Sequence, residues 1–212
     1  YNIPAVRAFE SVGYERAKLF AERLGIPVTK DEPTTAIGGN VDGVSTLQMA
    51  GAFASFGNKG YYNKPSTIVK VFNANGKELV NIKSEPVKAM SEETAYLMTN
   101  VLKGVLTEDG TSPNGKIPNF DMAGKSGSST FDDSAYYNYG IDVENSTKDS
   151  WMIGYTTDYT VAVWQGADVV DSAAKALSYN QAKTTQVIMA EVLKKASDNK
   201  VPATFEKPAG IE

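Results

Sequence analysis

The stretch Ala123-Gly124-Lys125-Ser126-Gly127-Ser128-Ser129 decides how the rest of the chain is read. Gly124-Lys125-Ser126 looks like the end of a phosphate-binding Gly-x-x-x-x-Gly-Lys-Ser loop, but that loop needs a glycine where Asn119 stands. It also needs a helix to follow, whose N-terminal amides hold the phosphates, and Gly127 with the serine run argues against one. The alternative is a strand lining a cleft. Side chains alternate along a strand, so Ser126 and Ser128 then share one side as two neighbouring hydroxyls. Gly127 between them lets a ligand approach the backbone, and Lys125 adds a cation beside those hydroxyls, giving a place for a substrate carboxylate. A surface strand with one ordinary lysine satisfies the same letters.

The segments around this stretch supply its setting. Phe120–Ser129 reads as one strand, and Ser150–Thr156 with Tyr159–Gln165 reads as a hairpin turning at Thr157-Asp158. Tyr179–Ala196 has the pattern of a closing helix, and Ser197–Glu212 is a polar tail expected to fray. Before the strand come helices. Pro4 suits a first helical turn and Val6, Phe9 and Val12 follow at helical spacing. Tyr14–Leu24 stops at Gly25. Ser45 caps Thr46–Phe56, whose Leu47, Met49, Ala50, Ala54 and small residues suggest deep burial. Ser91-Glu92-Glu93 opens a helix carrying Ala95, Leu97, Met98, Val101, Leu102 and Val105. Pro27–Gly43, closing on Gly38-Gly39-Asn40-Val41-Asp42-Gly43, reads as a connection, and Thr130–Thr147 as a long tyrosine-rich loop. Ser66–Phe72 and Glu78–Ile82 form an earlier hairpin across Asn73-Ala74-Asn75-Gly76. This order predicts an α/β (α+β) fold with an antiparallel sheet flanked by helices. Three strands are few for such a sheet, so the fold reads as incomplete in this chain.

Composition removes whole classes of chemistry. The chain has 212 residues, 42% hydrophobic and 22% charged, with a formal net charge of -4. That charge provides no basic field for nucleic acid. No run approaches the roughly 18 apolar residues of a membrane span. There is no Cys and no His, which excludes thiol nucleophiles, Cys-based zinc sites and Ser-His-Asp triads. Any acyl transfer here must use Lys, Asp, Glu or Tyr as its base. Adjacent Asp132 and Asp133 lack further spaced ligands, so no metal and no cofactor is expected. Trp151 and Trp164 read as core, and Tyr136, Tyr137 and Tyr139 as an aromatic-packed loop that could also shape a cleft mouth.

From Asn2 to about Ala196 the chain resembles the second half of the transpeptidase domain of class A, bifunctional penicillin-binding proteins. Asn2-Ile3-Pro4-Ala5-Val6 is similar to the family's sequence from the Asn of its Ser-x-Asn motif onward. Gly38-Gly39 through Val44-Ser45-Thr46-Leu47-Gln48-Met49-Ala50 resembles its Gly-Gly…Val-Ser-Pro-Leu-Glu-Met-Ala segment, and Tyr61-Tyr62-Asn63-Lys64-Pro65 matches too. Lys125–Ser129 stands at its Lys-Thr/Ser-Gly element. Trp151–Thr156 and Val161–Trp164 look like the strands that close its sheet. Where the family often has Thr, this chain has Ser126, Ser128 and Ser129, which keep the hydroxyl and lose the methyl that stiffens the rotamer.

The resemblance implies a penicillin-binding transpeptidase or serine β-lactamase-like fold, with residues 1–196 its C-terminal portion and 197–212 a polar tail. It implies a D,D-transpeptidase that cross-links peptidoglycan stem peptides through a serine acyl-enzyme and is acylated by β-lactams. The nucleophile would lie on a Ser-x-x-Lys helix in an N-terminal part of the same polypeptide, and the Ser of Ser-x-Asn just before Tyr1. Ser172-Ala173-Ala174-Lys175 and Ser197-Asp198-Asn199-Lys200 fit the bare pattern but fall after the closing strand. Asn2 would bond the substrate's backbone, and Lys125 would act on its carboxylate and on proton traffic. Ser126, Gly127, Ser128 and Ser129 would bind substrate, with the Ser128 N–H as half of the oxyanion hole. A glycosyltransferase domain, a membrane anchor and a place on the outer face of the cytoplasmic membrane are implied for the parent; this piece requires no membrane contact. Two alternatives stay open: a β-lactamase or D,D-carboxypeptidase of the same superfamily, and a non-catalytic cell-wall-binding module.

Overall fold

The computed structural model describes residues 2–28, 33–39, 43–81 and 84–211. Asn40, Val41 and Asp42 of the glycine-rich connection, Tyr1, and Ile82 at the end of the early hairpin lie outside the described residues. The chain divides into two compact units, Tyr1–Ala95 and Tyr96–Glu212.

The first unit opens with α1 (Ile3–Val12) and α2 (Tyr14–Arg23), joined at Gly13, whose φ of 85° suits glycine. Helix α3 (Thr46–Gly57) begins as expected on Ser45, which forms a reciprocal capping box with Gln48. Its buried residues are Gly51, Ala52 and Ser55, whereas Leu47 is exposed. The expectation of deep burial therefore holds for those three small residues, while Met49, Ala50 and Ala54 are half-buried and Leu47 fails it.

Strand β1 (Tyr61–Tyr62) pairs antiparallel with β4 (Val87–Lys88), around the hairpin of β2 (Lys70–Phe72) and β3 (Glu78–Asn81). Leu24, Ala52, Ala89, Met90 and Ala95 form the core of this unit, with Ile26, Phe56 and Tyr62 packed against it. Gly60, at φ +86°, is packed so closely on the Met90 carbonyl that a Cβ would collide with it. Helix α4 (Glu92–Lys103) follows.

The second unit is built on a three-stranded antiparallel sheet in the order β5 (Ala123–Ser129), β7 (Asp149–Tyr155), β8 (Thr160–Gly166). The β7–β8 hairpin turns at Thr156–Tyr159, within a residue of its predicted bounds; the Thr156 N–H donates to the Tyr159 carbonyl at 2.9 Å. Residues 130–147, expected as loop, instead carry α5 (Ser134–Tyr139) and β6 (Ser146–Thr147), which pairs with β9 (Leu177–Ser178). The predicted closing helix is divided into α6 (Tyr179–Ala182) and α7 (Thr184–Ala196) at Lys183, which keeps helical dihedrals and donates its N–H to the Tyr179 carbonyl at 3.3 Å.

The register sorts the side chains onto two faces, since cross-strand partners project the same way. Gly124, Ser126 and Ser128 share one face with Met152, Ser150, Val161 and Val163. Helix α7 covers part of this face, packing Met189, Ala190 and Leu193 against Met152, Leu106, Ile117 and Met122. Gly154 makes the approach possible, for a Cβ there would run into the Met189 sulfur. The Ser150 hydroxyl donates to the Ala182 carbonyl at 2.7 Å and meets the Thr185 hydroxyl at 3.1 Å, tying the helix to the central strand.

Lys125, Gly127 and Ser129 lie on the other face with Tyr155, Ile153, Trp151 and Asp149. There Tyr155 is fully buried and its hydroxyl meets that of Thr99 on α4 at 3.0 Å. The tail does not fray as expected. Phe205 stacks edge-on against Tyr155 at 5.7 Å, its N–H donates to Asp121 at 3.0 Å, and the Lys103 ammonium, itself paired with Asp121, lies 5.3 Å from its ring.

Burial pushes the Tyr155 phenol up to about 12 from an ordinary value of 10, against the smaller lowering effect of the Thr99 hydrogen bond. The unfolded chain therefore loses this proton first as pH rises. The stability that Tyr155 contributes is complete below pH 10 and drains away as pH climbs toward 12. Relative to neutral pH, the native protein should lose about 1 kcal/mol more than a Tyr155→Phe variant by about pH 11, measured by denaturant unfolding. Equal losses in the two proteins would contradict this assignment.

Candidate functional site

Strand β5 is an edge strand among the described residues: β7 pairs with it on one side along its whole length, and nothing pairs on the other. An edge strand presents a row of backbone N–H and C=O groups to any extended chain that comes alongside. The Lys125–Ser129 run lies on this edge, so the loop reading of Gly124-Lys125-Ser126 is excluded by the backbone itself.

Ser126 and Ser128 do share a face, as alternation requires. Ser128 is exposed, and the Ser126 hydroxyl lies 3.1 Å from that of Thr111. Lys125 leaves the strand on the opposite face and does not stand beside those hydroxyls. Its ammonium instead reaches back to donate to the Ser126 carbonyl at 2.6 Å, which brings the cation to the strand's own backbone. Gly127 is exposed, and a Cβ there would just touch the Cβ of Trp151 at 3.4 Å, so open space above the strand is its main consequence.

Ser129 is held differently from the other two serines. Its hydroxyl donates to the Asp149 carboxylate, and its carbonyl accepts from the Lys148 N–H at 2.9 Å and from the Thr147 hydroxyl at 2.5 Å. The Trp164 indole N–H donates to the other Asp149 oxygen at 2.9 Å. Trp151 and Trp164, read as core from the sequence, are only half-buried; their rings lie 6.5 Å apart on the face that carries Lys125.

Asn2 belongs to the first unit, where it immediately precedes α1. Its carbonyl accepts the Val6 N–H at 3.1 Å, while its side chain makes no capping bond and is exposed. The amide is thus not consumed by the helix it precedes.

The tyrosine-rich segment is ordered rather than loose. Asp132 accepts the Ser134 N–H at 2.8 Å and also the Ser134 hydroxyl, which holds its carboxyl below the usual carboxylate range. Asp132 is thereby spent on a helix start. Ala135 and Ile141 anchor α5 by burial, leaving Tyr136 and Tyr137 exposed. Among the described residues no group of three or more acidic or His/Cys side chains could hold a metal.

Thr111, Thr147 and Asp149 are residues that reading the sequence did not bring to the site. Thr111 had a signal, its place in the Gly/Pro/Asn-rich run Gly110–Pro118 just before the strand. Asp149 and Thr147 had none, because their role depends on which residue of β7 faces Ser129.

Residues 7–194 match the family described as the penicillin binding protein transpeptidase domain. The chain is 39% identical over 215 aligned residues to penicillin-binding protein 1A/1B of Bacillus subtilis, covering 99% of this chain and 23% of that protein. It is 37% identical to penicillin-binding protein 1A of Streptococcus oralis, covering 78% of this chain and 26% of the relative. The chain thus spans about a quarter of the length of these curated relatives. Its fold is similar to the crystal structure of penicillin-binding protein 1A from Haemophilus influenzae, with a TM-score of 0.74, 22% identity, and coverage of 98% of this chain and 34% of that one. Penicillin-binding protein 3 from Mycobacterium tuberculosis, solved in complex with aztreonam, gives a TM-score of 0.69 at 18% identity over 98% of this chain and 52% of its own.

Proposed function

The chain belongs to the penicillin-binding protein transpeptidase family, and on that premise we propose that it forms the substrate wall of a peptidoglycan D,D-transpeptidase whose attacking serine lies in an N-terminal part of the same polypeptide. The observation that carries the proposal is the placement of Lys125–Ser129 along an edge strand open to an extended peptide.

In this reading a stem peptide lies along β5 and adds to the sheet by backbone hydrogen bonds. The serine oxygen attacks the carbonyl carbon of the penultimate D-alanine. The bond to the terminal D-alanine breaks, that residue leaves with a proton on its nitrogen, and the peptide stays on the serine as an ester. An amine from a second stem peptide then attacks the ester, forming the cross-link and returning the proton to the serine. The family resemblance puts lysine on the serine's proton path. Lys125 supplies positive potential toward the carboxylate and the proton path. Ser126 and Ser128 hold the substrate carboxylate, and the Ser128 N–H is one of two donors to the oxyanion. Gly127 gives the peptide room and Ser129 closes the wall at its far end. Asn2 bonds the substrate's backbone. β-Lactams react with the same serine and stay attached because no acceptor amine reaches the ester.

Residues 1–196 then form the C-terminal portion of the transpeptidase domain and 197–212 a tail docked on it at Phe205. No helix among the described residues is long and apolar enough to cross a membrane. The parent is read as a class A enzyme with a glycosyltransferase domain and an anchor outside this chain, working on the outer face of the cytoplasmic membrane. The test is transpeptidation by the full-length protein, supplied with a stem pentapeptide donor and an amine acceptor. Release of D-alanine matched by cross-linked product supports the reading. D-Alanine release with hydrolysis alone supports a carboxypeptidase, and no release at all overturns the enzyme assignment.

A further inference from the structure

We propose that Asp149 is a positioning residue for the transpeptidase reaction, holding the end of the substrate strand in register through Ser129. The proposal rests on the transpeptidase reading and extends it to a residue outside the family motifs quoted above.

One carboxylate here ties three strands together. Asp149 sits on β7, opposite Ser129 of β5 and Gly166 of β8. One of its oxygens accepts the Ser129 hydroxyl and the other accepts the Trp164 indole N–H from β8 at 2.9 Å. Gly166 permits the second bond. A Cβ at that position would lie 2.7 Å from Cζ2 of Trp164, so any larger residue displaces the indole that reaches Asp149. Buried Thr147 completes the clamp, with its hydroxyl 2.5 Å from the Ser129 carbonyl and 3.0 Å from the Asp149 carbonyl.

Hydrogen bonds to an ionised carboxylate are roughly twice as strong as neutral ones. They act here on the residue directly after Ser128, whose N–H is the proposed oxyanion donor. Oxyanion donors must sit at hydrogen-bond distance from the position the oxygen takes in the transition state, and small displacements are costly. A free edge strand has no neighbour on its outer side to hold it. Asp149 supplies that restraint from within the sheet.

The test uses the full-length protein and its Asp149→Asn, Ser129→Ala, Trp164→Phe and Ser129→Ala/Asp149→Asn variants. Acylation by a fluorescent penicillin is followed over a range of concentrations, separating the initial dissociation constant from the acylation rate constant, and thermal midpoints are recorded alongside. Asp149→Asn should lower the acylation rate constant about tenfold, the scale of one charge-assisted hydrogen bond, with little change in the dissociation constant or midpoint. Ser129→Ala should lower the acylation rate constant to the same extent, the double variant should be no slower than either, and Trp164→Phe should fall between. Wild-type rates in Asp149→Asn overturn the proposal alone. Losses that multiply in the double variant, or that track falling midpoints, also overturn it. A wild-type protein that takes no label overturns both the proposal and the reading beneath it.

Discussion

Replacing Lys125 by alanine in the full-length protein is expected to slow acylation by penicillin about a hundredfold or more, the scale of losing one preorganised electrostatic donor. The lysine is exposed and among the described residues its hydrogen bond is to a neighbouring backbone carbonyl, so the thermal midpoint should stay near the wild-type value. Position matters as well as charge. The ammonium is a compact point charge drawn to the Ser126 carbonyl, whereas arginine would present a broad planar fork there. Lys125→Arg should therefore recover binding of the carboxylate better than it recovers the acylation step. Stopped-flow acylation over a range of penicillin concentrations separates the two. An alanine variant acylated at the native rate would remove Lys125 from the site.

The largest effect on stability is expected at Leu193. It is fully buried on α7 in the cluster with Met152, Met189, Leu106 and Ile117, and truncation to alanine should cost about 2–5 kcal/mol. The upper part of that range applies where the surroundings cannot collapse. Gly154 already brings the Met189 sulfur inside contact distance of where a Cβ would stand, and a Cβ at Gly115 would be in tight contact with Met189, Leu106 and Met152 at 3.0–3.2 Å. Denaturant unfolding of the full-length protein checks this. A loss under 1 kcal/mol would show that α7 contributes little to holding the sheet.

The sheet was legible because its signals are local. Gly-Lys-Ser-Gly-Ser-Ser cannot start a helix well, and the turn at Thr157-Asp158 separates two apolar runs of strand length, so β5, β7 and β8 appear close to where they were expected. Features that depend on partners distant in sequence were not legible. The polarity of 197–212 suggested fraying, yet Phe205 finds Tyr155 and Asp121, which no local pattern announces. Leu47 reads as core by its chemistry and shares a helical stripe with buried Gly51 and Ser55, yet at the first turn of α3 it is exposed, which no local pattern shows. At the site, the shared face of Ser126 and Ser128 followed from alternation alone. The same alternation places Lys125 on the other face, which the grouping of cation and hydroxyls overlooked. Asp149 could be found only once the register was known, since a shift of one residue would have turned it away from Ser129.

The central claim is that Lys125–Ser129 faces a serine carried elsewhere in the same polypeptide. Intact-mass measurement of the penicillin-treated full-length protein, followed by peptide mapping, tests it most directly. The account predicts one long-lived adduct per molecule, on a serine N-terminal to Tyr1 and within a Ser-x-x-Lys sequence. No adduct, rapid turnover of the adduct, or an adduct on Ser172, Ser197 or any other residue of this chain would contradict it.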